Sequence, residues 1–372
     1  MNALKKLKKL DVVLTIAWIL AIISAFFVHP DKEYIGYIDF RSLGILWGLM
    51  VIIQGFKENS VFEKIAGALL SKVKKGWQLA AVLVFMCFVG SMLITNDVAL
   101  ITFVPFAIMI LHSCHKEEMM IPVIVLQTIA ANLGSMLTPI GNPQNLYMYG
   151  LTGMSLVEFI MTMLPYSLVS AVFLALCLLI VPGKNSSLDT NKESLITSKF
   201  GSKVQIIIYI VLFAVALLTV MRVLPWYVFA GVVLIVVGGM DYKNLLRADY
   251  ILLLTFIGFF IFTGNMGRIG FISDFLRGIM EGKELLISVL ASQVISNVPA
   301  TLLLSGFTTN YKELLVGVNV GGLGTLIASM ASLISYKAYT KEYQENGAKY
   351  IGVFTIFNLA FLCGLLLLWW II

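Results

Sequence analysis

Charge is scarce in this sequence. Only 12% of its 372 residues are Asp, Glu, Lys or Arg, 59% are hydrophobic, and the mean hydropathy is +0.95. A soluble domain carries about 25% charged residues, so that class is excluded. Histidine is rarer still, at three. His112-Ser-Cys-His115 has no second ligand pair to complete a metal site, and it reads as a solvated loop. The four cysteines (Cys87, Cys114, Cys177 and Cys363) lie far apart, three of them in apolar runs, so no disulfide framework is implied. A net charge of +6 does not point to nucleic acid, because the lysines are scattered between apolar stretches. An intramembrane enzyme is the weakest reading, since neither a His/Glu/His set nor a Ser/His pair stands at the polar interruptions described next.

Long apolar runs are what the chain does have. Leu10–Val28, Tyr166–Val181, Val204–Val220, Val228–Met240 and Ile351–Ile372 approach membrane-spanning length, which predicts an all-α polytopic membrane protein. Lys5-Lys-Leu-Lys-Lys9 precedes a stretch long for a signal peptide, and Ser24-Ala-Phe-Phe27 makes a poor cleavage site. A retained first helix over about 11–29 is expected, then a second over 41–56. Lys57–Lys75 is amphipathic, with Phe62, Ile65, Leu69 and Val73 on one face, and too charged to span.

Trp77–Leu111 carries Thr95-Asn96-Asp97 in its middle. A re-entrant hairpin of two half-length helices with its tip at 95–97 suits that pattern, because buried non-helical backbone is tolerated only against protein or water. The apolar stretch 121–150 is broken at Leu137-Thr-Pro-Ile-Gly-Asn-Pro-Gln-Asn145, which no regular helix interior accommodates. A further span is expected over 160–182.

The organisation then recurs. A first half, 1–182, contains a unit of about 39–150. A polar linker covers 183–203. The second half, 204–372, opens with spans near 204–222 and 225–240 and contains a unit of about 249–337. Asp39 and Asp249 each lead into an apolar span, and Arg268–Lys283 repeats the amphipathic stretch. Leu285–Gly306 is a second hairpin with Ser296-Asn297 at its tip, and Lys312–Tyr336 is broken at Gly321-Gly-Leu-Gly-Thr-Leu-Ile-Ala328. No strand precedes Gly321–Gly324 and no Lys follows, so this is not a phosphate loop. Five crossings between the two starts make the second unit inverted. Loops assigned to the cytoplasm hold 19 of the 26 Lys and Arg residues, placing the N-terminus inside and the C-terminus outside. Arg268 and Arg277 then anchor an interfacial helix, while Gln54, Gln127, Asn132, Gln293, Asn319 and Asn358 read as interhelical hydrogen bonds.

Each knot offers side-chain oxygens, bare carbonyls and helix ends. Oxygens suit sodium, and helix N-termini favour an anion. Neither knot contains Arg or Lys, and Asp97 is the only carboxylate in the expected core. An intramembrane carboxylate is usually functional, although Asp97 could instead cap the returning helix.

Together the knots resemble the ion transporter superfamily, which includes divalent-anion/sodium symporters, citrate transporters, arsenite permeases and sodium/proton antiporters. The resemblance is carried by Thr95-Asn96-Asp97, by Gly134 to Asn145, by Ser296-Asn297-Val298-Pro299 and by Asn319 to Thr325. Thr-Asn-Asp-Val with Gly-Asn-Pro-Gln-Asn is most similar to short bacterial citrate-transporter-like or anion permeases. The resemblance implies a homodimer in the lipid bilayer, each protomer with a scaffold and a mobile transport domain working as an elevator. Symporter members carry Ser-Asn-Thr at both tips, whereas the third position here is Asp97 or Val298.

The expected function is secondary transport of a small anion, a di- or tricarboxylate or an inorganic oxyanion, coupled to sodium or protons. Substrate is expected at Asn96, Asp97, Thr138, Pro139, Asn142, Asn297, Val298, Pro299 and Thr325. The coupling cation is expected at Thr95, Asn96, Asp97, Gly141, Asn142, Ser296, Asn297 and Gly324. No other cofactor is expected. A sodium/proton antiporter without organic substrate is the alternative, and a passive channel a more distant one.

Overall fold

The computed structural model describes residues 12–71, 73–184 and 201–372. The N-terminal lysines, Lys72 and most of the expected linker lie outside the described residues. Among the described residues every regular element is a helix, and nine helices are long and apolar enough to cross a membrane. The protein is a multi-pass membrane protein.

The first half contains α1 (Val12–Phe27), α2 (Glu33–Tyr37), α3 (Phe40–Glu58), α4 (Val61–Leu70), α5 (Gly76–Ile94), α6 (Asn96–Ser113), α7 (Glu117–Ser135), α8 (Pro143–Thr152) and α9 (Leu156–Leu178). The second contains α10 (Lys203–Val220), α11 (Trp226–Leu245), α12 (Tyr250–Arg268), α13 (Gly270–Met280), α14 (Glu284–Ile295), α15 (Asn297–Leu304), α16 (Tyr311–Val320), α17 (Met330–Glu342) and α18 (Gly347–Ile371).

Local chemistry sets the boundaries. Asp39 Oδ1 accepts from Ser42 N–H and Asp249 Oδ1 from Leu252 N–H, both at 3.0 Å, capping α3 and α12 alike. Their backbone dihedrals agree, at φ −78°, ψ 82° and φ −77°, ψ 81°. Asn142 caps α8 by accepting from Asn145 N–H at 2.9 Å, and Pro143 occupies the first helical position, where its missing N–H costs nothing.

Both hairpins form, but the arms of the first, α5 and α6, have 19 and 18 residues and are long enough to cross. Residues 76–113 contain no charge except Asp97, so nothing halts the helices between their ends and the tip. The arms of the second, α14 and α15, have 12 and 8 residues, and a 3-10 turn at Ser305–Phe307 ends the latter.

α5 packs along α7, and α12 along α1. α7 is the central helix, with 89% of its apolar window buried against 22% for α11 and α18, whose apolar surface is largely left exposed by the rest of the chain. The expected amphipathic face of α4 divides: Phe62, Ala66 and Leu70 are buried, while Ile65 and Leu69 stay about half exposed. Phe271 and Phe275 of α13 are exposed and stacked, as befits a helix lying in an interface.

Candidate functional site

The two tips are built to one plan. Thr95 has φ 69°, ψ 148° and Ser296 has φ 71°, ψ 153°, a sparsely populated region for non-glycine residues. Each holds the next residue at the start of a helix, where its N–H meets the break of the adjoining discontinuous span. Asn96 N–H donates to Gly141 O at 3.0 Å, and Asn297 N–H to Ala328 O at 2.9 Å. Within the breaks, Gly141 N–H donates to Thr138 O and Ala328 N–H to Thr325 O, both at 3.2 Å. The threonine hydroxyls reach back to the hairpins, Thr138 to Met92 O at 2.5 Å and Thr325 to Gln293 O at 3.2 Å. Three bonds of the first half thus have direct counterparts in the second.

Buried amides join the halves. Asn132 Oδ1 accepts from Asn96 Nδ2 (3.1 Å) and from Ser329 Oγ (3.0 Å), and Asn132 Nδ2 points to Gly322 O at 3.5 Å. Asn142 Nδ2 donates to Ser135 Oγ (3.2 Å) and to Asn319 Oδ1 (3.1 Å), while Asn319 Nδ2 donates to Asn145 Oδ1 (2.7 Å). Gln293 fills the second break: its Nε2 donates to Gly321 O and Leu323 O, each at 3.0 Å, and its Oε1 accepts from Thr325 N–H at 2.9 Å. Gly324 has φ +103°, and a Cβ there would lie 2.3 Å from Gln293 Oε1. Asn132, Asn319 and Gln293 therefore belong to the site's frame rather than being isolated interhelical bonds. A signal was present in the sequence: Asn132-Leu-Gly134 and Asn319-Val-Gly321 stand at the same spacing before Thr138 and Thr325.

Open space lies elsewhere among the expected residues. A cavity of about 80 Å³ between the tips is lined by Asp97 and Pro143 from the first half and by Asp249, Ser296, Val298 and Pro299 from the second. A second, of about 180 Å³, has Gln54, Lys57, Thr95, Arg247 and again Asp97, Pro143 and Asp249 in its wall. Asn96, Asn142, Thr138 and Thr325 spend polar groups on the frame, and Pro139 and Gly141 are buried within it. Asn297 is buried, its Oδ1 3.5 Å from Ser296 Oγ.

Asp97 shares both cavities with Asp249, so it is not the only carboxylate there. Its Oδ1 is buried and has no hydrogen-bond partner. The Asp97 side chain does not cap α6: the helix starts at Asn96, whose Oδ1 accepts from Asp97 N–H at 3.0 Å. Asp97 sits instead in the first turn, where the helix dipole favours negative charge. Lys57, in the last turn of α3, and Arg247, in the connection before α12, supply the basic groups that the knots lack. Arg247 pairs with Glu58 at 2.7 Å, and Glu58 also accepts from Gln54 Nε2 at 2.9 Å.

At the end of α12, Arg268 donates to Asp31 at 2.7 Å and to Tyr37 at 3.1 Å, tying that helix to the connection after α1 and to α2. That bond holds the Asp31 carboxyl below the usual carboxylate range. Among the described residues no group of three or more His, Cys, Asp or Glu side chains could hold a metal ion.

Residues 3–311 match the citrate transporter family. The chain belongs to that family. It is 32% identical over 331 residues to an uncharacterized transporter of Methanocaldococcus jannaschii, covering 88% of this chain and 87% of the relative. It is also 32% identical over 330 residues to the inner membrane protein YbiR of Escherichia coli, covering 85% and 84%. The silicon efflux transporter of Oryza sativa subsp. japonica is 28% identical over 138 residues, 37% of this chain and 28% of the relative. The chain is thus a membrane transporter of the citrate transporter family.

Proposed function

We propose that this transporter moves a small anion in exchange for, or together with, sodium or protons, by alternating access of two inverted-topology units. The observation that carries the reading is the buried, unpartnered Oδ1 of Asp97 in a cavity shared by both hairpin tips. A carboxylate held in an apolar span without a partner is costly unless a cation or proton joins it. Thr95, Ser296, the Asn96 and Asn297 amides and the carbonyls beside Gly141 and Gly324 are oxygens of the kind sodium takes. The anion then falls to the second tip, where α15 presents its N-terminus beside Val298 and no carboxylate intrudes in the tip itself. Lys57 and Arg247 at the neighbouring cavity draw the anion toward it.

A cavity of about 80 Å³ is small beside the 300–1,000 Å³ of ordinary ligand pockets, which favours an inorganic oxyanion over a tricarboxylate in this conformation. The relative named for silicon efflux is consistent with so small a cargo. In this reading the hairpins α5–α6 and α14–α15 and the broken spans α7–α8 and α16–α17 form the moving body. α4 and α13 link it to a scaffold in a homodimer, with the N-terminus cytoplasmic.

The two carboxylates at one cavity, Asp97 and Asp249, favour a second reading, a sodium/proton antiporter without an anion substrate. Proteoliposomes separate the two. Anion uptake driven by a sodium or proton gradient, and lost in Asp97→Asn, supports transport of an anion. Sodium movement driven by a pH gradient alone, with no anion required, supports the antiporter. Flux that neither saturates nor responds to a gradient contradicts both.

A further inference from the structure

A groove of about 560 Å³ lies on the membrane face of the first hairpin, and it is almost wholly apolar. Ile65 and Leu69 of α4 form one wall, Val89 and Leu93 of α5 the other, and Phe103 of α6 contributes to the lining. These are the α4 side chains that the protein core leaves about half exposed, and Val89 and Leu93 are exposed to the same degree. The groove begins under an amphipathic helix and ends at Ile94, the residue before Thr95.

We infer that this groove holds one acyl chain of an anionic phospholipid. Length argues for a lipid tail: from Ala81 to Ile94, both in the lining, α5 rises roughly 20 Å at 1.5 Å per residue, comparable to the ~15 Å of one leaflet's hydrocarbon. Volume agrees, since the groove falls within the 300–1,000 Å³ typical of small-molecule pockets. Charge selects the headgroup. Lys74 and Lys75, in the connection between α4 and α5, are exposed and form no ion pair among the described residues. In the orientation proposed above they face the cytoplasmic leaflet, where anionic lipids gather.

The second half is not equipped in the same way. The pocket near its amphipathic helix is lined by Arg277, Glu281, Glu284 and Thr308, and is as polar as it is apolar. A chain seated only at the first hairpin touches the residue beside Thr95, so its presence or absence bears on that tip and not on Ser296.

Native mass spectrometry of the full chain, with phosphatidylglycerol and phosphatidylcholine of identical tails as probes, tests the inference. The wild type is expected to bind phosphatidylglycerol about tenfold more tightly. Ala81→Phe, which fills the groove, is expected to weaken binding of both lipids about tenfold. The double variant Lys74→Gln/Lys75→Gln, on the surface and safe for folding, is expected to keep a bound lipid and lose the headgroup preference. Equal binding of both lipids by the wild type overturns the inference, as does unchanged binding in Ala81→Phe. A disulfide-linked dimer of Val89→Cys in vesicles also overturns it, by showing that a second copy covers the groove. None of these readouts involves transport, so they stand apart from failure of the anion or antiporter reading.

Discussion

Thr95-Asn96-Asp97 and Ser296-Asn297-Val298 occupy equivalent places on the two hairpins, and their backbones are nearly superimposable in dihedral angle and hydrogen bonding. Their third residues differ in the one property that matters most in hydrocarbon, charge. The comparison teaches that the frame and the chemistry are separable. A threonine three residues before each helix-catching carbonyl, and an asparagine ahead of each break, recreate the geometry twice. A single carboxylate then gives one tip a charge that the other lacks.

The largest effect expected from breaking that asymmetry is on transport. Asp97→Asn should lower gradient-driven uptake in proteoliposomes at least about tenfold, while Val298→Ala should stay within about threefold of wild type. Equal losses would mean that the tips share the cation. Next come the breaks. Gly141→Ala places a Cβ 2.1 Å from the Ser135 carbonyl oxygen, a backbone atom that cannot turn aside. It should cost about 3 kcal/mol, against about 1–2 kcal/mol for Gly324→Ala, whose φ is strained but whose neighbour is a movable side chain. Thermal unfolding in detergent would rank them, and the reverse order would show that backbone strain outweighs the clash.

Asn132→Ala strands Asn96, Ser329 and the Gly322 carbonyl, Asn319→Ala strands Asn142 and Asn145, and each should cost about 1–3 kcal/mol. Because Asn132 accepts from the Asn96 Nδ2, only Asn132→Ala should also disturb cation dependence. Arg247→Gln should raise the KM for the anion a few-fold with kcat unchanged, and flatten its dependence on salt. The smallest effect lies outside the membrane. Arg268 lowers the Asp31 pKa, so the pair's stabilisation is present above the ordinary carboxylate range and disappears as pH falls through the lowered value. Asp31→Asn should therefore lower the melting temperature only slightly at neutral pH, and the two proteins should converge in acid.

Much of this architecture was legible because hydrocarbon punishes polar residues: any interruption such as 95–97, 137–145, 296–297 or 321–328 had to mark a tip or a break. The helical character of the chain followed from the same rule. Arm length was not legible. The run 76–113 lacks internal stops, so α5 and α6 reach 19 and 18 residues although the hairpin pattern suggested shorter arms. At the site, Asp97 was visible as a lone charge in an apolar run, but its neighbours Asp249, Lys57 and Arg247 were not. They belong to helix ends that read as caps and loop charges, and only packing brings them to the same cavities. Asn132 and Asn319 were visible as residues but not as a network, because one-dimensional spacing does not say which amide faces which.

The most direct test is thermal unfolding of the purified protein in sodium against choline, for wild type and Asp97→Asn, repeated across pH. A cation at a hundred times its dissociation constant should add about 2.7 kcal/mol of stability. The account predicts that sodium, or acid if protons are the coupling ion, stabilises the wild type and has no such effect on Asp97→Asn. Stabilisation by either cation that survives intact in Asp97→Asn would contradict it, and would place the cation site away from the first tip.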